Sequence, residues 1–495
     1  MHRLAKSTFL AGLQCPKRLW FQVHEPETSE TPDLDARRRM DEGIRVGRLA
    51  REHVPGGVLV GSWYATVEAR LSATRAALEA GERVLYEASV LADDVLVQAD
   101  ILERQSEAYT LIEVKSSTRV KDEHIPDAAV QLWALRRAGV AVQRAEVMHL
   151  NRECRFPDLS NLFVREDVTG LVEGLLPEVP ERVASLLAVP DGPCPDVAVG
   201  PHCEQPRTCP FHARCWEAAP PDHVSTLHNL SARRAAEFIE RGWITIGQLP
   251  DDVDLPETAA RQVRSLRHGA RIVEPGLADA LATLQGPLGY LDFETINPAI
   301  PVWPGCRPYD QIPVQFSCHV EQDDGSLRHF AHLVDGPGDP RAELAHRLVT
   351  ACQGARTLLT YNVSFERAGV RRLLEAVPAL AAELADIESR LVDLLPVVRN
   401  HVYDPAFEGS FSIKGVLHGL VPGQGYDDLE IRDGGTASLM LSRLILDGEA
   451  VSDIERARLR RQLLAYCERD TLAMVAVLAE LRRLAGPHDP QLRLL

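Results

Sequence analysis

Two pairs of carboxylates, a lysine beside one of them and a run of cysteines stand at spacings that could do chemistry. Asp100 precedes Glu113-Val114-Lys115 by twelve intervening residues. Side chains alternate along a strand, so Glu113 and Lys115 share a face. An acid on one strand, with an acid and a lysine on its neighbour, can converge beside a buried sheet. Such a point suits a divalent cation and an attacking water; the alternative is two solvated carboxylates and a surface lysine. The second pair, Asp292 and Glu294, lies two apart in Leu288-Gly-Tyr-Leu-Asp-Phe-Glu-Thr295, with apolar neighbours on both faces. That pattern reads as a central strand, where paired carboxylates are costly unless a cation or partner neutralises them. Far downstream, Tyr466 and Asp470 lie four apart, on one face of a helix expected over about Ser452–Leu484.

Cys203, Cys209 and Cys215 recur with five residues between them in a proline-broken segment of little helix or strand character. Soft thiolates suit an iron–sulfur cluster or zinc, and the paired spacing usual for zinc is missing. Cys15, after a helix capped by Ser7, is by default a small buried residue.

The first acids require strands over Val84–Leu91, Val95–Glu103 and Tyr109–Lys115, separated by the polar turns Ala92-Asp93-Asp94 and Arg104-Gln-Ser-Glu107. On the middle strand Val95, Val97, Ala99 and Ile101 are expected on one face and Asp100 on the other. A helix over about Glu123–Ala138 carries Gln131. The later acids require strands at Leu288–Thr295, Ile312–Val320, Leu327–Val334 and Thr357–Tyr361, a helix over about Pro340–Gln353, and another entered through Asn362-Val-Ser-Phe-Glu366. Between the two sets, Glu-Ala-Ala-Pro-Pro-Asp after Trp216 reads as a linker. Helices at Ala232–Arg241 and about Glu257–His268 follow, with a faint likeness to helix-hairpin-helix DNA binders. Arg261, Arg264, Arg267 and Arg271 share one face there, as a solvated stripe or a phosphate track.

A chain of 495 residues, 45% hydrophobic, predicts two or three domains with real cores. A net charge of −17 excludes a general DNA-coating protein, because phosphate contacts need cations. It is compatible with an enzyme of local basic grooves and clustered acids. No charged-then-apolar leader and no apolar run near the ~20 residues of a membrane span is present. Ten cysteines without such a leader predict a reducing cytoplasm. Of 54 lysines and arginines only five are lysine: Lys6, Lys17, Lys115, Lys121 and Lys414. Keeping lysine at position 115 favours a compact ammonium that can approach a phosphate.

Asp100, Glu113-Val114-Lys115 and Gln131 together resemble the motifs of the PD-(D/E)XK nuclease superfamily, in its RecB-like and CRISPR-associated exonuclease branch. The resemblance implies that Asp100 and Glu113 bind magnesium or manganese, that Lys115 assists the nucleophile and that Gln131 supports the site. Glu87 stands where that branch often adds another metal-binding acid. One departure is Gly43-Ile-Arg-Val-Gly47, with glycine where the branch commonly has the histidine of Gly-x-x-x-His. Cys15 with Cys203, Cys209 and Cys215 resembles the [4Fe–4S] staple of the same group, which ties the ends of the nuclease domain together; zinc is the alternative, and Cys194 a substitute ligand.

Asp-x-Glu on a first strand, Asn-x-x-Phe-acid at a helix start and Tyr-x-x-x-Asp on a late helix resemble the DnaQ-like exonucleases of ribonuclease-H-like fold. The resemblance implies four acids, Asp292, Glu294, Glu366 and Asp470, holding two magnesium or manganese ions, with Tyr466 orienting water. Glu366 departs from the superfamily's usual aspartate, and one methylene moves a carboxylate by about an ångström. The whole chain is similar to a bacterial family that fuses these two domains, with Gly409-Ser-Phe-Ser-Ile-Lys414 and Cys209-Pro-Phe-His-Ala-Arg-Cys215-Trp216 among the matching segments. The expectation is therefore an α/β protein: a nuclease domain over 1–218, a small helical region over 219–284 and an exonuclease domain over 285–495. It would be a cytoplasmic nuclease with two phosphodiesterase sites, acting on DNA ends or single strands, with no membrane partner. An exoribonuclease acting on RNA and a non-catalytic or single-site scaffold are the alternatives.

Overall fold

Alternating apolar residues and polar turns build two large sheets, with one further two-stranded pair among the described residues. The computed structural model describes residues 3–486 apart from 31–33, 62–64, 218 and 448–450, so the expected boundary at 218 lies outside the described residues. The chain divides into two units, Met1–Ala219 with Ala299–Tyr309, and Pro220–Pro298 with Asp310–Leu495. Residues 219–284 thus fall almost wholly in the second unit, while a short later segment belongs to the first. Both units are mixed α/β, and among the described residues no helix is long and apolar enough to cross a membrane.

In the first unit the elements are β1 (Leu4–Ala5), α1 (Lys6–Gln14), α2 (Pro16–His24), α3 (Leu34–His53), β2 (Val58–Leu59), α4 (Val67–Glu79), β3 (Val84–Ala92) and β4 (Val95–Gln105). After them come β5 (Ala108–Lys115), α5 (His124–Arg137), β6 (Val142–Leu150), β7 (Phe163–Asp167), α6 (Thr169–Leu175), α7 (Val179–Ala188) and α8 (His212–Trp216). The sheet runs β2-β3-β4-β5-β6-β7, with β1 added beside β4. β3, β4 and β5 form an antiparallel meander, and α5 carries the chain across to the parallel β6. One face packs Val95, Val97 and Ala99 against Ala128, Leu132 and Leu135 of α5. The other packs Ile112 and Met148 against Val46 and Ala50 of α3, together with Ala299 of the returning segment.

The expected single face for Val95, Val97, Ala99 and Ile101 does not hold. Ile101 packs with Ile112 and Met148 on the α3 side, so the alternation slips at Asp100. Its partner strand slips at the same level: Tyr86 pairs with Ile101 and Ala88 with Ala99, while Glu87 between them has the left-handed φ of 60°. A left-handed, non-glycine residue inside a strand is strained. Here the slip falls where two of the expected metal-binding acids oppose each other.

In the second unit the elements are α9 (Ala232–Glu240), α10 (Glu257–His268), β8 (Ile272–Val273), α11 (Leu277–Ala282), β9 (Leu288–Ile296), β10 (Ile312–Glu321), β11 (Leu327–Leu333), α12 (Arg341–Ala351) and β12 (Thr357–Thr360). They continue with α13 (Val363–Ala376), α14 (Ala381–Arg390), β13 (Leu391–Asp393), α15 (Leu395–His401), β14 (Val402–Tyr403), α16 (Ile413–Leu420), α17 (Gly434–Leu446) and α18 (Asp453–Ala485). The sheet order is β11-β10-β9-β12-β13, which makes β9 the central strand. α18 starts at an N-cap, where Ser452 accepts from the Glu455 N–H. It lies on the sheet, tied by Gln315 Nε2 donating to the Leu463 carbonyl at 2.8 Å.

The arginine stripe of α10 serves the fold. Arg261 and Arg264 bond Glu274, Arg267 bonds Asp251, and Arg271 bonds Asp404 and the Gly419 carbonyl. These guanidiniums bind their own unit's acids, which removes the basis for reading them as a phosphate track.

Candidate functional site

The sheet of the first unit brings Asp100, Glu113, Lys115 and Gln131 to one level. The β4–β5 ladder ends at Ile101 opposite Ile112. Beyond it the strands part, and Asp100 Oδ2 accepts from the Val114 N–H at 2.7 Å. Glu113, 1% exposed, receives three donors: Lys115 Nζ at 2.7 Å and Lys6 Nζ at 2.8 Å on Oε1, and Gln131 Nε2 at 2.7 Å on Oε2. Glu87 stands at the rim, held by Gln98 Nε2 at 2.9 Å.

Two members of this centre were not anticipated. Asp127, buried one turn before Gln131 on α5, accepts from Lys115 Nζ at 2.5 Å and faces Lys6 Nζ at 3.3 Å. Its place four residues from Gln131 was a readable signal. Lys6 arrives from the first residue of α1, more than a hundred residues away in sequence, and only the packed fold brings it in.

The electrostatics follow from this pairing. Burial drives the Glu113 carboxyl up, but the Lys115 and Lys6 ammoniums outweigh it and hold it well below the ordinary carboxylate range. Burial pulls both lysines down and the acids more than reverse it, so both ammoniums are held above their ordinary range. Asp100 is pushed up to about 7 by burial and then by Glu113, against the two lysines. The Oε1 atom of Gln131 is buried without a hydrogen-bond partner.

Four cysteines named from the sequence, Cys15, Cys203, Cys209 and Cys215, line one cavity with Phe21, Phe211 and Lys17. Gln14 Nε2 clamps the cysteine segment to α1 by donating to the carbonyls of His202 and Arg207, each at 2.8 Å. Cys194 is exposed and is not among the lining residues. Burial pushes the Cys209 and Cys215 thiols up.

In the second unit β9 carries Asp292 and Glu294, α13 carries Glu366 in its first turn, and α18 carries Tyr466 and Asp470. The turn into α13 is set by Asn362, left-handed at φ 79°, whose N–H donates to Asp393 Oδ1 at 2.9 Å. Asparagine tolerates that conformation better than most residues. Asp470 and Glu366 act on the two acids of β9. Burial, then Asp470, Glu294 and Glu366, push Asp292 far up. Glu294 is likewise raised by burial and by Asp470. Burial and then Asp393 push Glu366 up to about 8. Burial raises Asp470 to about 6, against the hydroxyl of Tyr426, which donates to Oδ1 at 2.5 Å.

Three further residues belong to this centre and were not assigned to it from sequence. Besides Tyr426, Lys414 donates from Nζ to the Tyr466 hydroxyl at 3.2 Å and lies 4.9 Å from both tyrosine ring centres. Cys467 places its sulfur 3.4 Å from Asp292 Oδ2. Ligand atoms of Asp292, Glu294 and Cys467 lie within 4.8 Å of one another. Glu366 Oε2 is buried without a hydrogen-bond partner. Tyr466 is pushed far up by burial and by Asp470, so its hydroxyl keeps its proton.

A family model described as a domain of unknown function (DUF2779) matches residues 289–412, which include Asp292, Glu294 and Glu366. Two relatives are uncharacterized protein UU173 of Ureaplasma parvum and uncharacterized protein MG366 of Mycoplasma genitalium. They are 23% and 25% identical over 220 and 224 residues, each match covering 40% of this chain and 32% of the relative. The chain thus spans about a third of the length of the curated relatives it matches.

Proposed function

We propose that this chain is a metal-dependent nuclease with two phosphodiesterase centres, acting on DNA ends or single strands. On this reading the first unit is a PD-(D/E)XK, RecB-like domain and the second a DnaQ-like domain of ribonuclease-H fold. The observation that carries the proposal is the set of four acids in the second unit. They come from a central strand and two helices and crowd one point, where Asp470 and Glu366 push Asp292 and Glu294 up, with Lys414 the ammonium beside them. Hard oxygen donors short of positive charge, one of them left without a partner, fit magnesium or manganese.

A divalent cation there would supply Lewis-acid chemistry, activating water and neutralising the leaving oxygen of a phosphodiester. The chain's own groups then have distinct tasks. Tyr466, which keeps its proton, orients water as a donor and acceptor and cannot serve as the base. Tyr426 fixes the rotamer of Asp470, and Lys414 fixes the Tyr466 hydroxyl. Asp393 sets the turn that aims Glu366.

The first centre is differently balanced. Lys6 and Lys115 already neutralise Glu113 and Asp127. That favours a second reading for this unit, a nucleic-acid-holding module beside one active exonuclease centre. For the cysteines the iron–sulfur cluster is preferred over zinc. The cysteine segment lacks the close pairs usual for zinc.

The test is release of nucleotides from end-labelled single- and double-stranded DNA and RNA with magnesium or manganese. Wild type, Asp292→Ala and Asp100→Ala are compared. Cleavage that survives Asp100→Ala and is lost in Asp292→Ala supports the single-centre reading, and loss of part in each supports two centres. No release from any substrate with either metal removes the nuclease.

A further inference from the structure

We propose that Lys17 and Arg18 are the counter-ions of the group held by Cys15, Cys203, Cys209 and Cys215, with the Arg18 Nε–H donating to one of its sulfurs. This rests on the cysteine reading above, in which that group is an iron–sulfur cluster. All six side chains line one cavity, and among the described residues no aspartate or glutamate lines it. Four thiolates around an oxidised [4Fe–4S] core leave a net dianion there. Two fixed cations beside it make the pocket neutral.

Arg18 is the observation that points to an anion. Its Nη1 donates to Gln14 Oε1, and Gln14 Nε2 clamps the carbonyls of His202 and Arg207 on either side of Cys203. That leaves Nε, which is buried and has no hydrogen-bond partner. An unpaired buried donor on a charged group is expensive, because it has given up water and gained nothing. The charges that reach the guanidinium are those of Cys209, Cys15 and the repelling Arg207, with no carboxylate among them. Neutral thiols are weak acceptors and carry no compensating charge. Thiolate sulfurs on a cluster supply both, an anion for the guanidinium and an acceptor for the orphan N–H. An arginine kept only as a clamp on Gln14 would use Nη1 and have no need of Nε.

The local sequence builds this arrangement. Cys15 is the N-cap of α2, Pro16 is its first residue, and no side chain caps the helix. The unpaired N–H groups of the first turn and the positive end of the helix dipole therefore lie beside Cys15, which favours its thiolate. Arg18, three residues on, shares a helix face with Cys15, and Lys17 is charge-coupled to Cys215. One short run, Cys15-Pro16-Lys17-Arg18, thus supplies one ligand and both balancing charges.

The experiment is a redox titration of the full-length chain, prepared anaerobically, with the reduced cluster followed by electron paramagnetic resonance. Wild type is compared with Arg18→Met, Arg18→Lys and Lys17→Met, and iron and sulfide are counted in each. Removing a nearby cation penalises the reduced state, which carries the extra electron, so each loss of charge lowers the midpoint. Arg18→Met is expected to shift the reduction equilibrium at least about ten-fold, which is about 59 mV for one electron. Arg18→Lys keeps the charge without the Nε–H and should fall between wild type and Arg18→Met. A purely structural arginine would change iron retention or melting and leave the midpoint of the loaded fraction where it was. Wild-type midpoints in Arg18→Met and Arg18→Lys overturn the proposal, and a wild-type midpoint in Lys17→Met strikes Lys17 from it. If Arg18→Met retains no cluster, Arg18→Lys decides alone, by the same criterion. Wild type free of iron and sulfide removes the cluster reading itself, and this proposal with it.

Discussion

Glu366→Gln in metal-free protein isolates the cost of burying this carboxyl beside Asp393. Glu366 is 2% exposed, and its carboxyl is pushed from the ordinary 4.5 up to about 8. The folded state therefore holds this proton over a range where the unfolded state has lost it, so stability falls as pH rises from about 4.5 to about 8. Each pH step in that window costs about 1.4 kcal/mol. At pH 7 the loss is on the order of 3 kcal/mol and at pH 5 less than about 1. Glutamine keeps the shape and never ionises, so the variant should be the more stable by about 3 kcal/mol at pH 7. For a unit of this size that is a shift of about 6–12 °C in melting temperature. The two proteins should converge at pH 5. Manganese should reverse the order at pH 7, stabilising wild type and leaving the variant behind. Calorimetry in chelator at pH 5, 7 and 8.5, then with manganese, reads all of this. Coincident melts at pH 7, with wild type no less stable there than at pH 5, would show that burial does not hold the Glu366 carboxyl protonated in the folded state.

Asp292→Ala or Glu294→Ala should lower metal-dependent nucleotide release by about thirty- to a thousand-fold, the two to four kcal/mol expected of one lost electrostatic stabiliser. Tyr466→Phe should be milder, and a full loss in that variant would contradict its role as an orienting group. Protein prepared anaerobically should contain iron and acid-labile sulfide; zinc alone in its elemental analysis rules out the cluster. Lys6→Met leaves Glu113 and Asp127 with one ammonium, so it should destabilise the first unit by about 3 kcal/mol, and an unchanged denaturant midpoint would contradict the buried pairing.

Where alternation and turns were strong, the elements were legible to within two residues. Val95–Glu103 was expected and β4 runs Val95–Gln105; Ser452–Leu484 was expected and α18 runs Asp453–Ala485. The face of Ile101 was not legible, because the slip at Glu87 and Asp100 depends on one left-handed residue that alternation cannot report. Site residues brought in by local spacing were readable: Glu113 with Lys115, Tyr466 with Asp470. Lys6, Tyr426 and Lys414 were not, since each reaches its centre through tertiary packing alone. One signal did point to two of them. In a chain that writes arginine almost everywhere, three of five lysines, Lys6, Lys115 and Lys414, stand in the two acid centres, and Lys17 lines the cysteine cavity.

The return of Ala299–Tyr309 to the first unit has a consequence for how the protein is made. Ala299, Ile300 and Tyr309 pack into that unit's apolar cluster, and Cys306 accepts from the Phe156 N–H while Gly305 donates back to Phe156. A ribosome delivers these residues only after β9, the central strand of the other sheet, has left the exit tunnel. The first unit therefore waits, incomplete, while the second begins, and vectorial synthesis cannot finish one before starting the other. Any fragment cut near residue 285 inherits the same debt, carrying an apolar segment separated from the cluster it packs into.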